Sequence, residues 1–430
     1  MFRYGFFIIF IFSLQMVTAQ PKTDPFLLQL LQENRDDNFQ QVLQNPGKYR
    51  LQVIYTQINR DRQNNPTFTN FYFHYDPALY FNPASMVKMP AAFLALEKLH
   101  TLNRKGLDKF TTIRYEQNQP WQKPMVNDTT AFDGRPSIAH LIKRAFLVSE
   151  NDPYNRLYQF VGQGNFNRVL HRKGYTDIRI TRQFMGLTPE QNRYTNGIGF
   201  LDKKGKMIYA QEPVFNRDSI DFTRVIKIGK AHLDRNNKLV NEPFDFTQHN
   251  AISLGSMQQM LQSVMFPQSV PREQRFNLGK DDYTFLYRYL SQYPSETPDP
   301  KYDAETFYDS YVKFFFRDST HRMPPGVRVF NKVGWAYGFL TDVSYVADFH
   351  NGVEFMLAAT LYVNSNDILN DGTYDYETVG WPFLYQLGQT VYRYELGRDR
   401  QYKPDLPRFR VAYEQRDPSD KRPVLKEVDN

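Results

Sequence analysis

Residues 86–99, Met-Val-Lys-Met-Pro-Ala-Ala-Phe-Leu-Ala-Leu-Glu-Lys-Leu, constrain this chain more than any other stretch. After its first turn the segment is apolar almost all round, and such a helix sits at the centre of a fold rather than on its surface. A chain of 430 residues can bury it, as one large domain or two ordinary ones. The 36 Phe and 29 Tyr mean that much of the surrounding core is built from rings. With no cysteine, that core holds the fold without disulfides, and thiol nucleophiles, thiolate zinc sites and iron–sulfur clusters are excluded. The net charge of +7 comes from basic residues scattered along the chain. Scattered charge suits an anionic small substrate or an anionic envelope surface, whereas a nucleic-acid groove needs a focused stripe.

Around the central helix the pattern predicts an α+β fold. Residues 1–19 read as a secretory signal: Arg3, the apolar run from Phe6 to Phe12, then Val17-Thr18-Ala19 at a cleavage site before Gln20. The apolar run is too short to span a bilayer comfortably, and no later stretch approaches spanning length. A helical pattern over 25–43, broken by the polar stretch Glu33 to Asn38, is followed by strand-like runs at 49–58 and 68–75. Helices are expected at 138–148, 153–161, 166–173 and 257–265. Three β runs follow at 327–332, 341–349 and 353–363, with the hairpin signal His350-Asn351-Gly352 before the last. Pro382 opens a closing helix to about 396. The N- and C-terminal strands are expected to meet in one antiparallel sheet flanked by helices, beside a mainly helical subdomain. The expected organisation is a signal at 1–19, one domain over 20–397 with an insertion near 200–250, and a charged, only partly ordered tail over 398–430.

Three short motifs carry chemistry. In Ser85-Met86-Val87-Lys88 a helical spacing of three puts the serine and lysine on one face, within hydrogen-bond reach. A neutral lysine there can take the serine proton, provided desolvation or another cation depresses its pKa. In Ser149-Glu150-Asn151 a hydroxyl and an amide two residues apart can both enter one cleft from a tight loop; the same residues also make an ordinary helix-capping loop. In Lys332-Val333-Gly334 the lysine offers a cation for a substrate carboxylate and the glycine permits close backbone approach. The next N–H, of Trp335, could complete an oxyanion hole with that of Ser85. The eight histidines show no ligand spacing, so neither a metal nor a cofactor is expected.

Read together, Pro83-Ala84-Ser85-Met86-Val87-Lys88-Met89-Pro90, the run from Val148 to Leu157, and Lys332-Val333-Gly334 resemble the penicillin-recognising serine hydrolases, most of all the class A β-lactamase branch. The resemblance spans about 25–396. It implies a β-lactamase/transpeptidase-like fold, with Ser85 as acylated nucleophile, Lys88 as its base and Ser149 as proton shuttle. Asn151 and Lys332 are then substrate-binding groups, joined at the strand end by Gly334 and Trp335. The chain departs from the family pattern in four places. Glu150 stands where the family usually has Asp, and Val333 where it has Thr or Ser. The loop after the second motif brings Phe184 or Met185 to the position of the Glu that activates the deacylating water, leaving Glu190 as the nearest substitute. The gap from Asn151 to Lys332 is also longer than the family's. The expected function is that of a secreted, periplasmic serine hydrolase cleaving a β-lactam or related amide, its partner a β-lactam or a peptidoglycan-derived molecule. The alternatives are a cell-wall D,D-peptidase or slow acyl-enzyme former, and a non-catalytic envelope-binding relative.

Overall fold

In the computed structural model, which describes residues 21–417, 419 and 421–428, the chain enters through two short helices, α1 (Pro25–Gln32) and α2 (Asp37–Gln44). The polar break expected at Glu33 to Asn38 falls where the two separate, and there Asp36 caps α2, accepting from the Phe39 N–H at 2.8 Å. Strands β1 (Gln52–Arg60) and β2 (Pro66–Phe73) form a hairpin, and a 3₁₀ turn over Ala84–Val87 leads into α3 (Lys88–Leu102). The expected leader, residues 1–19, lies outside the described residues. No helix among the described residues is long and apolar enough to cross a membrane.

A small sheet and three helices follow: β3 (Thr112–Tyr115), α4 (Ile138–Leu147), α5 (Asn151–Val161) and α6 (Gln163–Arg172). Strands β4 (Ile198–Leu201) and β5 (Met207–Gln211) complete the sheet that β3 begins. Short strands β6 (Lys227–Ile228), β7 (Ala231–Leu233), β8 (Leu239–Val240) and β9 (Phe244–Asp245) occupy the segment read as an insertion. Helices α7 (Leu254–Met265) and α8 (Lys280–Ser291) precede the three long strands β10 (Val327–Ala336), β11 (Phe339–Asp348) and β12 (Val353–Tyr362). The two-residue β13 (Ile368–Leu369) and α9 (Trp381–Gly397) close the body.

The main sheet runs β10-β11-β12-β1-β2, antiparallel throughout, so the N- and C-terminal strands meet where β1 pairs with β12. Because side chains alternate across a strand, each face builds its own core. Val53, Tyr55, Phe355 and Leu357 pack beneath α1, α2 and α9, while Ile54, Val343, Tyr345 and Met356 face the helical half. The α+β architecture is therefore the expected one. Helix α3 is buried along Lys88–Leu96, with α4 and α5 packed against it, which is why its sequence shows no polar face. Pro90 sits in its first turn, where the missing N–H has no intrahelical acceptor to lose.

Two segments differ from expectation. Nothing was predicted over 266–326, yet α8 forms there. Its buried side includes Phe285, Tyr287 and Tyr289 beside the buried Asp282, so hydroxyls and a carboxylate blur its apolar stripe. The described part of the C-terminal tail also packs on the body. Phe409 is fully buried against Phe266, Tyr287, Phe330 and Tyr345, and Glu414 accepts from Lys143 at 2.8 Å and from the Tyr289 hydroxyl at 3.1 Å. A few widely spaced anchors in a polar stretch leave no periodicity to read.

Candidate active site

Ser85 lies in the 3₁₀ turn ahead of α3, and Ala84 before it takes a left-handed φ of 43°. The Asn82 side chain stabilises this bend by accepting from the Ala84 N–H at 2.8 Å. The turn sits directly against β10. A Cβ on Gly334 would lie 2.4 Å from the Pro83 carbonyl oxygen, so only glycine lets strand and turn approach this closely.

Lys88, at the start of α3 and fully buried, donates from Nζ to Ser85 Oγ at 2.8 Å and to Asn151 Oδ1 at 2.8 Å. It also meets the Ser149 carbonyl oxygen, and Ser149 Oγ at 3.3 Å. Ser149 stands in the loop between α4 and α5 with φ of 69°, a strained conformation for a residue with a side chain. That backbone turn brings its carbonyl to Lys88, while its hydroxyl accepts from Lys332 Nζ at 2.8 Å. Ser149 Oγ thus lies between two amines from opposite ends of the chain. Glu150 does not share this cluster. It is buried behind the loop, accepting from the Arg144 guanidinium and from the Tyr302 hydroxyl at 2.6 Å, and so anchors the motif.

On β10, Lys332 faces the helical half and Val333 the opposite core, as strand alternation requires. Val333 is fully buried and does not line the cavity, so its missing hydroxyl is not a gap in the cavity wall. Burial pushes the Lys332 ammonium down to about 7, with Lys313 adding to the effect. On the far side of the strand Lys313 Nζ donates to Asn331 Oδ1 at 2.6 Å, and Asn331 Nδ2 donates to Asp342 at 2.9 Å. This buried network stiffens the strand that carries Lys332. Trp335 lines the cavity one residue past Gly334, its ring tilted or edge-on to Phe314 and Tyr311.

The cavity over Ser85 is about 540 Å³ and is also lined by Ser149, Asn151 and Trp335. Its other wall is the loop after α6. Phe184 and Met185 both line it, and the Phe184 ring centroid lies 5.3 Å from Lys88 Nζ. Asn155 clasps the backbone there, its Oδ1 accepting from the Phe184 N–H at 2.7 Å. Glu190 is exposed and lines a neighbouring cavity instead, because the loop runs on past Gly186 before reaching it. As the structure stands, Glu190 does not face the Ser85 cavity.

Sequence reading missed Arg182, His249, Asn250 and Tyr337, all on the cavity wall. Asn250 grips the loop, accepting from the Thr181 N–H at 2.8 Å and the Arg182 N–H at 3.1 Å. The 200–250 segment therefore ends as part of the site wall. Tyr337 and Gly338, both at positive φ, form the two-residue turn of the β10–β11 hairpin, a signal that was readable between two β runs. Nothing in the sequence marks Arg182 or His249.

Residues 31–212 match the model of the beta-lactamase enzyme family. That stretch contains Ser85, Lys88, Ser149 and Asn151, and stops short of Lys332. Among solved structures, a β-lactamase from Sphaerobacter thermophilus shares 12% identity at a TM-score of 0.43, covering 84% of this chain and 97% of that one. A class A β-lactamase from Mycobacterium abscessus shares 12% at 0.45, covering 83% and 98%. A mutant of PBP-A, in an acyl-enzyme complex with penicillin G, shares 13% at 0.46, covering 87% and 98%. No curated protein sequence matches. Residues 31–212 of this chain are thus similar to the beta-lactamase enzyme family, within an α+β architecture.

Proposed function

We propose that this chain is an exported serine hydrolase that opens a β-lactam, or cleaves a related amide, through an acyl-enzyme on Ser85. One observation carries the reading: the buried Lys88 Nζ is 2.8 Å from Ser85 Oγ, beside a Ser149 hydroxyl that also accepts from Lys332 at 2.8 Å. Lys88 in its amine form takes the Ser85 proton as Oγ attacks the carbonyl carbon. The N–H groups of Ser85 and Trp335 receive the oxyanion. As the C–N bond breaks, Ser149 gives its proton to the leaving nitrogen and regains one from Lys88, which leaves Lys88 neutral and Ser85 acylated. Asn151 holds the substrate amide, and Lys332 meets a substrate carboxylate. Water then hydrolyses the ester.

A second reading, a slow acyl-enzyme former of the cell-wall D,D-peptidase kind, is favoured by the loop wall. The ring of Phe184 stands over Lys88, and among the described residues no carboxylate lines the cavity to activate water. Labelling with a fluorescent penicillin tests the shared first step. The expected result is covalent label on the wild-type protein and none on Ser85→Ala. Fast loss of label then favours the hydrolase, and label persisting for hours favours the slow former. No label at any concentration removes both.

A further inference from the structure

The Ser85 cavity adjoins a larger one of about 690 Å³, and Arg182 and His249 line both. The second cavity offers apolar surface from Phe215 and Phe222, together with three guanidinium groups, those of Arg182, Arg193 and Arg235. Its carboxylates are the exposed Glu190 and Asp245, the latter accepting from the Thr247 N–H at 2.7 Å. Arg193 is already occupied, donating to the Asp218 carbonyl at 2.7 and 2.9 Å.

Arg182 differs. Its Nη1 donates to His249 Nε2 at 2.8 Å, and among the described residues no carboxylate lies within ion-pair distance of it. Burial, with Arg182 beside it, holds the His249 imidazole down at about 3, so it accepts this bond as a neutral ring. The guanidinium charge on the shared wall is therefore not cancelled, and a half-buried, uncompensated cation attracts an anion.

Building on the acyl-enzyme reading above, we propose that the second cavity is a subsite for an anionic arm of the substrate. That arm is a carboxylate-bearing peptide chain joined to the amide cleaved at Ser85. Arg182 meets the carboxylate where the cavities join, Arg235 adds charge, and Phe215 and Phe222 cover the arm's apolar part. The 200–250 segment would then read the substrate, since it supplies Phe215, Phe222, Arg235 and His249.

The test uses two penicillins with the same nucleus, one with a neutral phenylacetyl side chain and one lengthened by Gly-Glu. The measured quantity is the ratio of their second-order rates of Ser85 acylation. A wild-type ratio of about ten is expected, falling toward one in Arg182→Gln, partly restored in Arg182→Lys and reduced in Arg235→Gln. The ratio should also shrink in about 0.5 M salt, as screening demands. Equal rates for the two probes in wild type, or a ratio untouched by Arg182→Gln, overturn the proposal. If neither probe acylates Ser85, the covalent reading fails separately. Equilibrium binding to Ser85→Ala protein then decides the subsite: tighter binding of the Gly-Glu probe, weakened by Arg235→Gln, supports it, and equal affinities refute it.

Discussion

The two walls of the Ser85 cavity are built on different principles. On the motif wall, Lys88, Ser149, Asn151 and Lys332 bring α3, the α4–α5 loop, the start of α5 and strand β10 together through buried and half-buried hydrogen bonds among ammonium, hydroxyl and amide groups. On the loop wall, Asn155 and Asn250 hold the backbone at 181–184, and the side chains that face inward are a phenyl ring, a thioether and a guanidinium. Buried charge permits few residue types, so the first wall is confined to them. Amides that clasp backbone leave the inward side chains free to vary. Under the proposed function, the first wall would serve bond-making at Ser85, and the second would set substrate choice and the fate of the acyl-enzyme.

Breaking the motif wall should have the largest effect. Lys88→Met is expected to lower acylation by a fluorescent penicillin ~10³-fold, within the range for losing a positioned proton acceptor. Persistence of the wild-type rate would separate Lys88 from the chemistry. Converting the loop wall toward the motif wall comes next. Phe184→Glu puts a carboxylate beside Lys88, and the lifetime of the adduct should shorten by ~10²-fold in a mass-spectrometric chase. Glu150→Ala removes one of the two carboxylates paired with the buried Arg144, leaving Asp128, and takes away the acceptor of the buried Tyr302 hydroxyl. Thermal or urea unfolding should show a loss of about 2 kcal/mol, the order expected when a buried hydroxyl loses its acceptor and a buried guanidinium one of its two carboxylates.

The smallest effect concerns pH. With its ammonium held down at about 7 by burial, Lys332 is charged below that pH and neutral above it. Its pull on a substrate carboxylate is therefore present at pH 6 and lost as pH rises through 7. The apparent affinity for a penicillin should weaken by up to about tenfold between pH 6 and 8.5, and Lys332→Met should remove the dependence. A flat profile in wild type would assign carboxylate binding elsewhere.

This contrast also explains what could be read in advance. The convergence of Ser85, Lys88, Ser149, Asn151 and Lys332 could be expected because the chemistry proposed for them needs particular functional groups at particular local spacings. The long strands and α3 were legible from hydrophobic pattern alone. Arg182 and His249 were not, since their meeting depends on how the 200–250 segment docks against 179–182 through the Arg179–Ala251 bridge. Phe409 escaped for a related reason: one ring in a polar tail has no pattern to announce it. Glu190 was proposed as a water-activating base on proximity in sequence, and the path of the loop carries it into the next cavity.

Time-resolved intact-mass spectrometry of the wild-type protein with benzylpenicillin tests the central claim most directly. The account predicts one added penicilloyl mass per chain, mapped by peptide sequencing to Ser85 and absent from Ser85→Ala. An unchanged mass under saturating penicillin, or an adduct on any other residue, would contradict it.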